Sequence, residues 1–257
     1  MTAKAIGCFF LDSSILIPEI LAQNNLRISK FKREILNHHL ECYFPDSVGS
    51  ETERKIKDTI DFLGNTIKTC LISELENSRN YRYIPLTDPI TVEDIKALET
   101  LFYGYHGVAK AQGVLTDPVS LVEEWIILYV SQKLEKGIKF TISELARELV
   151  TNVLTIAMNV QNSFDNLVTL QTSFVRKKAT PIDNKLPRII AEIEMLGIHA
   201  PDSDHIARAS LHQILTGQKV IFVTLDFKTI LNRRKVIKRD QKVQCCDPLY
   251  AFHHYEA

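Results

Sequence analysis

Four short apolar runs stand out along the chain as candidate buried strands: Ala5 to Leu11, Leu40 to Phe44, Val220 to Thr224 and Lys242 to Cys246. Each is apolar or β-rich and bounded by turn-forming or charged residues, the pattern of a parallel sheet covered by helices on both faces. Between the second and third runs the period changes. In ETERKIKDTIDFLGNTIKTCLISELENS, Glu51 to Ser78, apolar residues recur every three or four positions, which predicts one amphipathic helix or two. The turn-rich RNYRYIPLTDPI then precedes TVEDIKALETLF, where Thr91 and Asp94 form a capping pair. GVLTDP leads into VSLVEEWIILYVSQKLEKG, and TISELARELV, with Thr141 and Glu144 at capping-box spacing, opens a helical pattern reaching toward the KKATP break at Lys177 to Pro181. LPRIIAEIEML, stopped by Gly197, closes the region. Residues 1–80 and 186–257 therefore read as one discontinuous α/β domain, and 81–185 as an all-helical insertion or subdomain without internal repeats. Within it Trp125, Phe102, Tyr103 and Tyr105 read as helix-packing residues rather than a base-stacking platform.

Composition narrows the partners. Among 257 residues, Lys+Arg and Asp+Glu both number 31, so nucleic-acid affinity has to come from local patches rather than a basic whole. Cys8, Cys42, Cys70, Cys245 and Cys246 are odd in number and lack zinc-site or disulfide-framework spacing, and Cys245 and Cys246 read as small apolar strand residues. No apolar run approaches the roughly 18 residues of a membrane span, and the start of the chain lacks a signal-peptide pattern. The expectation is a reduced, cytoplasmic protein without a membrane partner.

The acidic residues change the picture. Asp12 follows the first strand, Asp46 and Glu51 the second, and Asp226 the third. Asp12 in FLDSSILI is well placed to cap a helix, but carboxylates gathered at the carboxyl ends of strands, where open α/β sheets bind ligands, ask for a further role. In HAPDSDHIARASLHQILTGQKVIFVTLDFKTIL, a Pro-Asp-Ser-Asp opens a helix whose small residues Ala207 and Ala209 allow close packing on a sheet. Gly217 ends that helix, and a strand leads to Thr224 and Asp226.

This passage resembles the carboxy-terminal half of PIN-domain nucleases. In that family an aspartate opens a helix of form D-x-x-H-I-A-x-A, matched by Asp202, His205, Ile206, Ala207 and Ala209, and the next strand ends in T-x-D, matched by Thr224 and Asp226. FLDSSILI is similar to the family's first strand, which puts a metal-ligand aspartate and a small hydroxyl residue at Asp12 and Ser13. FPDSVGSETERK is similar to its V-x-x-E motif at Val48 and Glu51, and VQCCDP to its last short strand and proline. The match covers roughly residues 5 to 75 and 195 to 250. It departs from the pattern in its large insertion and in having Phe227, not an acid, after Asp226.

The resemblance implies a PIN-like three-layer α/β/α fold whose central, mainly parallel sheet has about four to five strands. It implies an endoribonuclease that hydrolyses phosphodiester bonds in single-stranded or structured RNA with Mg²⁺ or Mn²⁺ and an activated water. The catalytic acids would be Asp12, Glu51, Asp202 and Asp226. Asp204, two residues from Asp202, is a further candidate ligand, Glu53 a substitute for Glu51, and Ser13 and Thr224 are candidate hydroxyls for orienting the carboxylates. His205, on an apolar helix side, reads as a packed or hydrogen-bonded structural histidine. The basic NRRKVIKRDQK, with Arg233, Arg234, Lys235, Lys238 and Arg239, is the candidate RNA contact. Homo-oligomerisation and control by an inhibitor or partner protein stay open. The rival readings are a catalytically weak PIN-like module that binds RNA or protein, and a 5′-nuclease-like enzyme acting on DNA.

Overall fold

The computed structural model describes residues 7–21, 25–78, 89–169, 176–181 and 183–255. The chain divides into two compact units, residues 1–53 with 164–257 and residues 54–163. The sequence pattern places the insertion at 81–185. The division instead falls inside two helices, where no loop composition marks it.

The first unit is an α/β unit built on five strands, β1 (Cys8–Leu11), β2 (Cys42–Pro45), β3 (Arg176–Lys178), β4 (Val220–Val223) and β5 (Gln244–Cys246). Their order is β3-β2-β1-β4-β5, and every neighbouring pair is parallel. Its helices are α1 (Ser13–Ile20), α2 (Leu26–Asn37), the start of α3 (Asp46–Phe62), the end of α7 (Ile142–Thr169), α8 (Leu186–Glu194), α9 (Asp202–Thr216), α10 (Arg234–Gln241) and α11 (Ala251–Tyr255), whereas α4 (Lys68–Ser78) lies in the second unit. α5 (Val92–Gln112) and α6 (Thr116–Glu135) belong to the second unit.

Strand alternation sends side chains to two covered faces. Cys8, Phe10, Val220, Phe222 and Cys245 form one buried cluster with Ile189 and Ile193 of α8, Ile206, Ala207 and Ala209 of α9, and Ile237 of α10. On the other face Phe9 meets Phe31 of α2 edge-on at 5.5 Å and Phe252 of α11 at 5.3 Å. Burial on both sides is why β1 and β4 read as unbroken apolar runs rather than alternating ones.

β3 departs from expectation. The helical pattern pointed to the break at Lys177, whereas α7 ends at Thr169 and Arg176–Lys178 form an edge strand. Three basic residues, of which Arg176 and Lys177 are exposed, carry no apolar signal, and such charge is how an edge strand avoids pairing with other chains. Asp46 holds this edge by accepting from the Thr180 amide at 3.1 Å and facing Lys177 at 3.7 Å, so it serves the scaffold. α3 also starts earlier than the periodicity indicated, at Asp46 rather than Glu51.

The topology itself marks a place for a ligand. From β1 the chain builds outward through β2 to β3, then returns to β1's other side with β4 and β5. That reversal between β1 and β4 opens a crevice at the strands' carboxyl ends, the usual binding position in open parallel sheets.

The second unit has its own core. Leu71 and Leu75 of α4, Leu98 and Phe102 of α5, Val122 and Ile126 of α6, and Leu145 and Leu149 of α7 are all fully buried in one cluster. The helix ends obey the spacing seen in sequence. The Thr91 amide donates to Asp94 at 2.7 Å, and at Thr141 the bond is reciprocated, with Thr141 N to Glu144 at 2.7 Å and Glu144 N to Thr141 Oγ1 at 3.2 Å. α3 and α4 are joined by a single π-turn at Leu63–Ile67. Of the aromatic residues, Phe102 and Tyr105 pack as expected and Trp125 stacks on Tyr129 at 5.2 Å, but Tyr103 is 83% exposed.

Phe222, fully buried in the middle of the sheet, tests the first core. Phe222→Ala is expected to lower stability to urea by about 3–5 kcal/mol, through lost burial and the cavity left behind.

Candidate metal centre

Asp12 sits one residue past β1, beside the β1–β4 crevice, and its amide extends the ladder by donating to Val223 O at 3.0 Å. Its backbone opens α1, yet its side chain caps no helix amide. Oδ2 instead accepts from the Ser14 hydroxyl at 2.7 Å and the Thr224 hydroxyl at 2.8 Å. The carboxylate is thus spent sideways, toward the neighbouring strand. Oδ1 is buried, makes no hydrogen bond among the described residues, and faces His205 Nδ1 at 3.4 Å.

Thr224 and Ser14 form the seam of this site. Their hydroxyl oxygens lie 3.3 Å apart, Ser14 Oγ accepts from the Leu225 amide at 2.9 Å, and Thr224 Oγ1 accepts from the Asp226 amide at 2.9 Å. Ser14, not Ser13, supplies the orienting hydroxyl. Each helical residue turns the chain by about 100°, and the second position of α1 is the one turned toward β4. Asp226 follows on the same loop and folds it by accepting the Thr229 amide at 2.9 Å.

The remaining groups come from helices. Asp202 and His205 are three apart in the first turns of α9, hence on one face. The helix N-terminus favours the aspartate's charge. Fully buried His205 aims Nε2 at Glu51 of α3, 3.6 Å away, while Nδ1 looks at Asp12. One donor atom from each of Asp12, Asp202 and His205 lies within 4.8 Å of the others. Asp204 is not part of this group, because its carboxylate is bound to Arg208 Nε at 2.7 Å one helical turn away. Glu53, on α3, is exposed.

Electrostatics record the crowding. Burial disfavours charge on Asp12, but the facing His205 and the two hydroxyls outweigh it and hold its carboxyl below the usual range. Asp202 goes the other way. Burial first, then the charges of Asp12 and Asp226, push it up to about 6, with Glu51 adding in the same direction. So Asp226 and Glu51 are felt at the cluster, although the tight set is Asp12, Asp202 and His205. Carboxylate oxygens suit Mg²⁺ and Mn²⁺, and an imidazole nitrogen tilts the set toward Mn²⁺ and other transition ions. With a buried oxygen of Asp12 left without a hydrogen bond at its centre, the donor set fits a divalent metal.

The signal in sequence that points to His205 is the i, i+3 spacing from Asp202, and the apolar company of the helix masks it. The five basic candidates separate clearly. Arg233 is committed to backbone carbonyls, through Nε to Leu196 O at 2.8 Å and Nη1 to Thr229 O at 3.0 Å, and Arg239 forks onto Asp240. Arg234, Lys235 and Lys238 are exposed and in no ion pair among the described residues.

Compared with protein-family models, curated proteins and solved structures, the chain finds no match.

Two measurements check the centre without any assay of activity. Saturating Mn²⁺ is expected to raise the melting temperature by about 5 °C or more, since binding to the folded state alone stabilises it. Asp12→Asn should abolish that rise. Thr224→Val, which preserves shape and removes the hydroxyl that Asp12 Oδ2 accepts from, should cost about 1–3 kcal/mol in urea unfolding.

Proposed function

We propose that the chain is a metal-dependent endoribonuclease that hydrolyses RNA phosphodiester bonds. The observation that carries this reading is the convergence of Asp12 and Asp202 with His205 at the β1–β4 switch point. Asp226 and Glu51 lie close enough to raise the Asp202 carboxyl. The motif resemblance supports the same conclusion and is what favours RNA over DNA.

A divalent ion bound there supplies a water of lowered pKa and stabilises charge on the phosphoryl oxygens. The chain's own residues do the rest. Asp12 and Asp202 would hold the ion, and Ser14 and Thr224 hold the Asp12 carboxylate in one orientation. Asp226 and Glu51 would add negative charge that concentrates a cation at the crevice, and Glu51 lies 3.6 Å from His205 Nε2. Without the ion, the same carboxylates repel a phosphate, so metal and substrate binding are coupled.

One observation favours a second reading. His205 stands between two acids, 3.4 Å from Asp12 and 3.6 Å from Glu51. A protonated imidazole there would serve as the counter-charge itself and leave a structural ion triad in a protein that binds RNA or another protein without cutting.

Cleavage of labelled single-stranded RNA, duplex RNA and flap DNA, with Mn²⁺, Mg²⁺ or EDTA, decides between them. The expected outcome is RNA cutting that EDTA stops, that Mn²⁺ supports better than Mg²⁺, and that falls at least about a hundredfold in Asp12→Asn and in Asp226→Asn. Cutting of flap DNA alone would transfer the activity to DNA. Absence of any cutting, with RNA still bound, would install the ion-triad reading.

A further inference from the structure

Beyond the acidic centre, the same carboxyl edge of the sheet carries a concavity of opposite character. A cleft of about 850 Å³ is lined by Phe227 from the loop after β4, Arg234, Lys235 and Lys238 around α10, and Tyr250 and His253 from the chain's last turns. That size falls among small-molecule and cofactor sites, roughly 300–1,000 Å³. Its only lining carboxylate, Asp247, is already engaged by Arg27 at 2.7 Å and by the Leu249 amide at 2.9 Å. Three cations are therefore left facing the space without a counter-charge among the described residues.

The cleft is also aromatic. Phe227 is 63% and Tyr250 58% exposed, and both are rings that elsewhere would be buried. Rings in water beside unpaired ammonium and guanidinium groups are the combination that takes an unstacked base on the ring and its phosphate on the cation. A duplex hides the faces of its bases, so this combination selects an unpaired nucleotide. Phe227 is also the next residue after Asp226, about 3.8 Å along the chain, and the loop bearing both is folded by the Asp226–Thr229 bond. One short loop thus carries both Asp226, whose charge is felt at the acidic centre, and Phe227, which lines the cleft.

We propose that this cleft holds an unpaired nucleotide of the strand that the acidic centre cuts, with the base against Phe227 and Tyr250 and the phosphate against Lys235 and Lys238. The proposal rests on the nuclease reading for the word "cuts"; the recognition of an unpaired nucleotide stands on the cleft itself. It also explains the residue that breaks the acidic pattern. A ring follows Asp226 because the position faces a base rather than a metal.

The test is fluorescence anisotropy of a labelled single-stranded oligouridylate in EDTA, across a salt series, against the same sequence as a duplex and with uridine monophosphate as competitor. Phe227→Ala combined with Tyr250→Ala is expected to weaken single-strand binding by about tenfold or more at every salt concentration. Lys235→Ala combined with Lys238→Ala is expected to flatten the salt slope by roughly 0.7 for each phosphate left without its lysine. All four side chains are exposed, so unchanged melting curves are expected in both variants. Variants that bind like wild type, duplex bound as tightly as single strand, or a monophosphate that competes as well as the oligomer would each overturn the assignment. Because binding is read without metal, the two ideas fail separately. Absent cutting with this binding pattern intact removes the nuclease reading alone, whereas persistent cutting with unaffected variants removes the cleft assignment alone.

Discussion

A carboxylate kept charged while almost sealed from water is the constraint around which the α/β unit is arranged. Asp12 is 3% exposed, and a buried carboxylate is costly unless its oxygens find partners. One oxygen finds them in two hydroxyls, from Ser14 in the adjoining helical turn and Thr224 at the end of the adjacent strand. The requirement reaches far from the residue itself. β4 has to lie beside β1 in a register that leaves Thr224 level with Asp12, and the pairing of Leu11 with Val223 does so. α9 has to come close enough for His205 to reach the other oxygen, which Ala207 and Ala209, both fully buried, allow by presenting almost no side chain to the sheet. Topology, small residues and hydroxyls serve one oxygen pair.

That economy separates the parts of the structure legible in sequence from the parts that were not. β1 and β4 were legible because burial on two faces forces continuous apolar runs. The polar edge strand β3 was not, since an edge strand of three basic residues is chemically indistinguishable from a solvated charge run until its pairing with β2 is known. Helix starts with two-way caps, at Thr91 and Thr141, were readable to the residue. The unit boundaries at 53 and 163 were not, because they fall inside α3 and α7, whose periodicity continues straight through.

The candidate site follows the same division. Which acids belong to the strand ends could be read from their positions after apolar runs. Which oxygens point inward could not, because that depends on rotations of a few tens of degrees in the first turn of a helix. Ser13 and Ser14 are chemically identical neighbours, and only the pitch of α1 selects the second. Asp202 and Asp204 differ likewise. Asp204 has Arg208 one turn below it, an i, i+4 pairing visible in sequence that removes it from the cluster. Arg239 left the basic patch for a similar reason, having Asp240 beside it, whereas Arg233 is held both by Thr229 O four residues back and by Leu196 O, which is distant in sequence.

His205 is the residue on which the chemistry turns. It faces carboxylates on both ring nitrogens, and among the described residues no backbone group or hydroxyl takes either one. As a neutral ring it can offer a lone pair to a cation; as a charged ring it replaces the cation. The neighbouring Asp202, pushed up by burial and by Asp12 and Asp226 when no cation is present, adds to the bias toward metal, because an imidazolium neutralises one charge where a divalent ion neutralises two. With Asp12, Asp202, Asp226 and Glu51 all contributing negative potential, a single imidazolium leaves the crevice under-compensated. That imbalance is the electrostatic ground on which the cluster of Asp12, Asp202 and His205 could hold a metal ion.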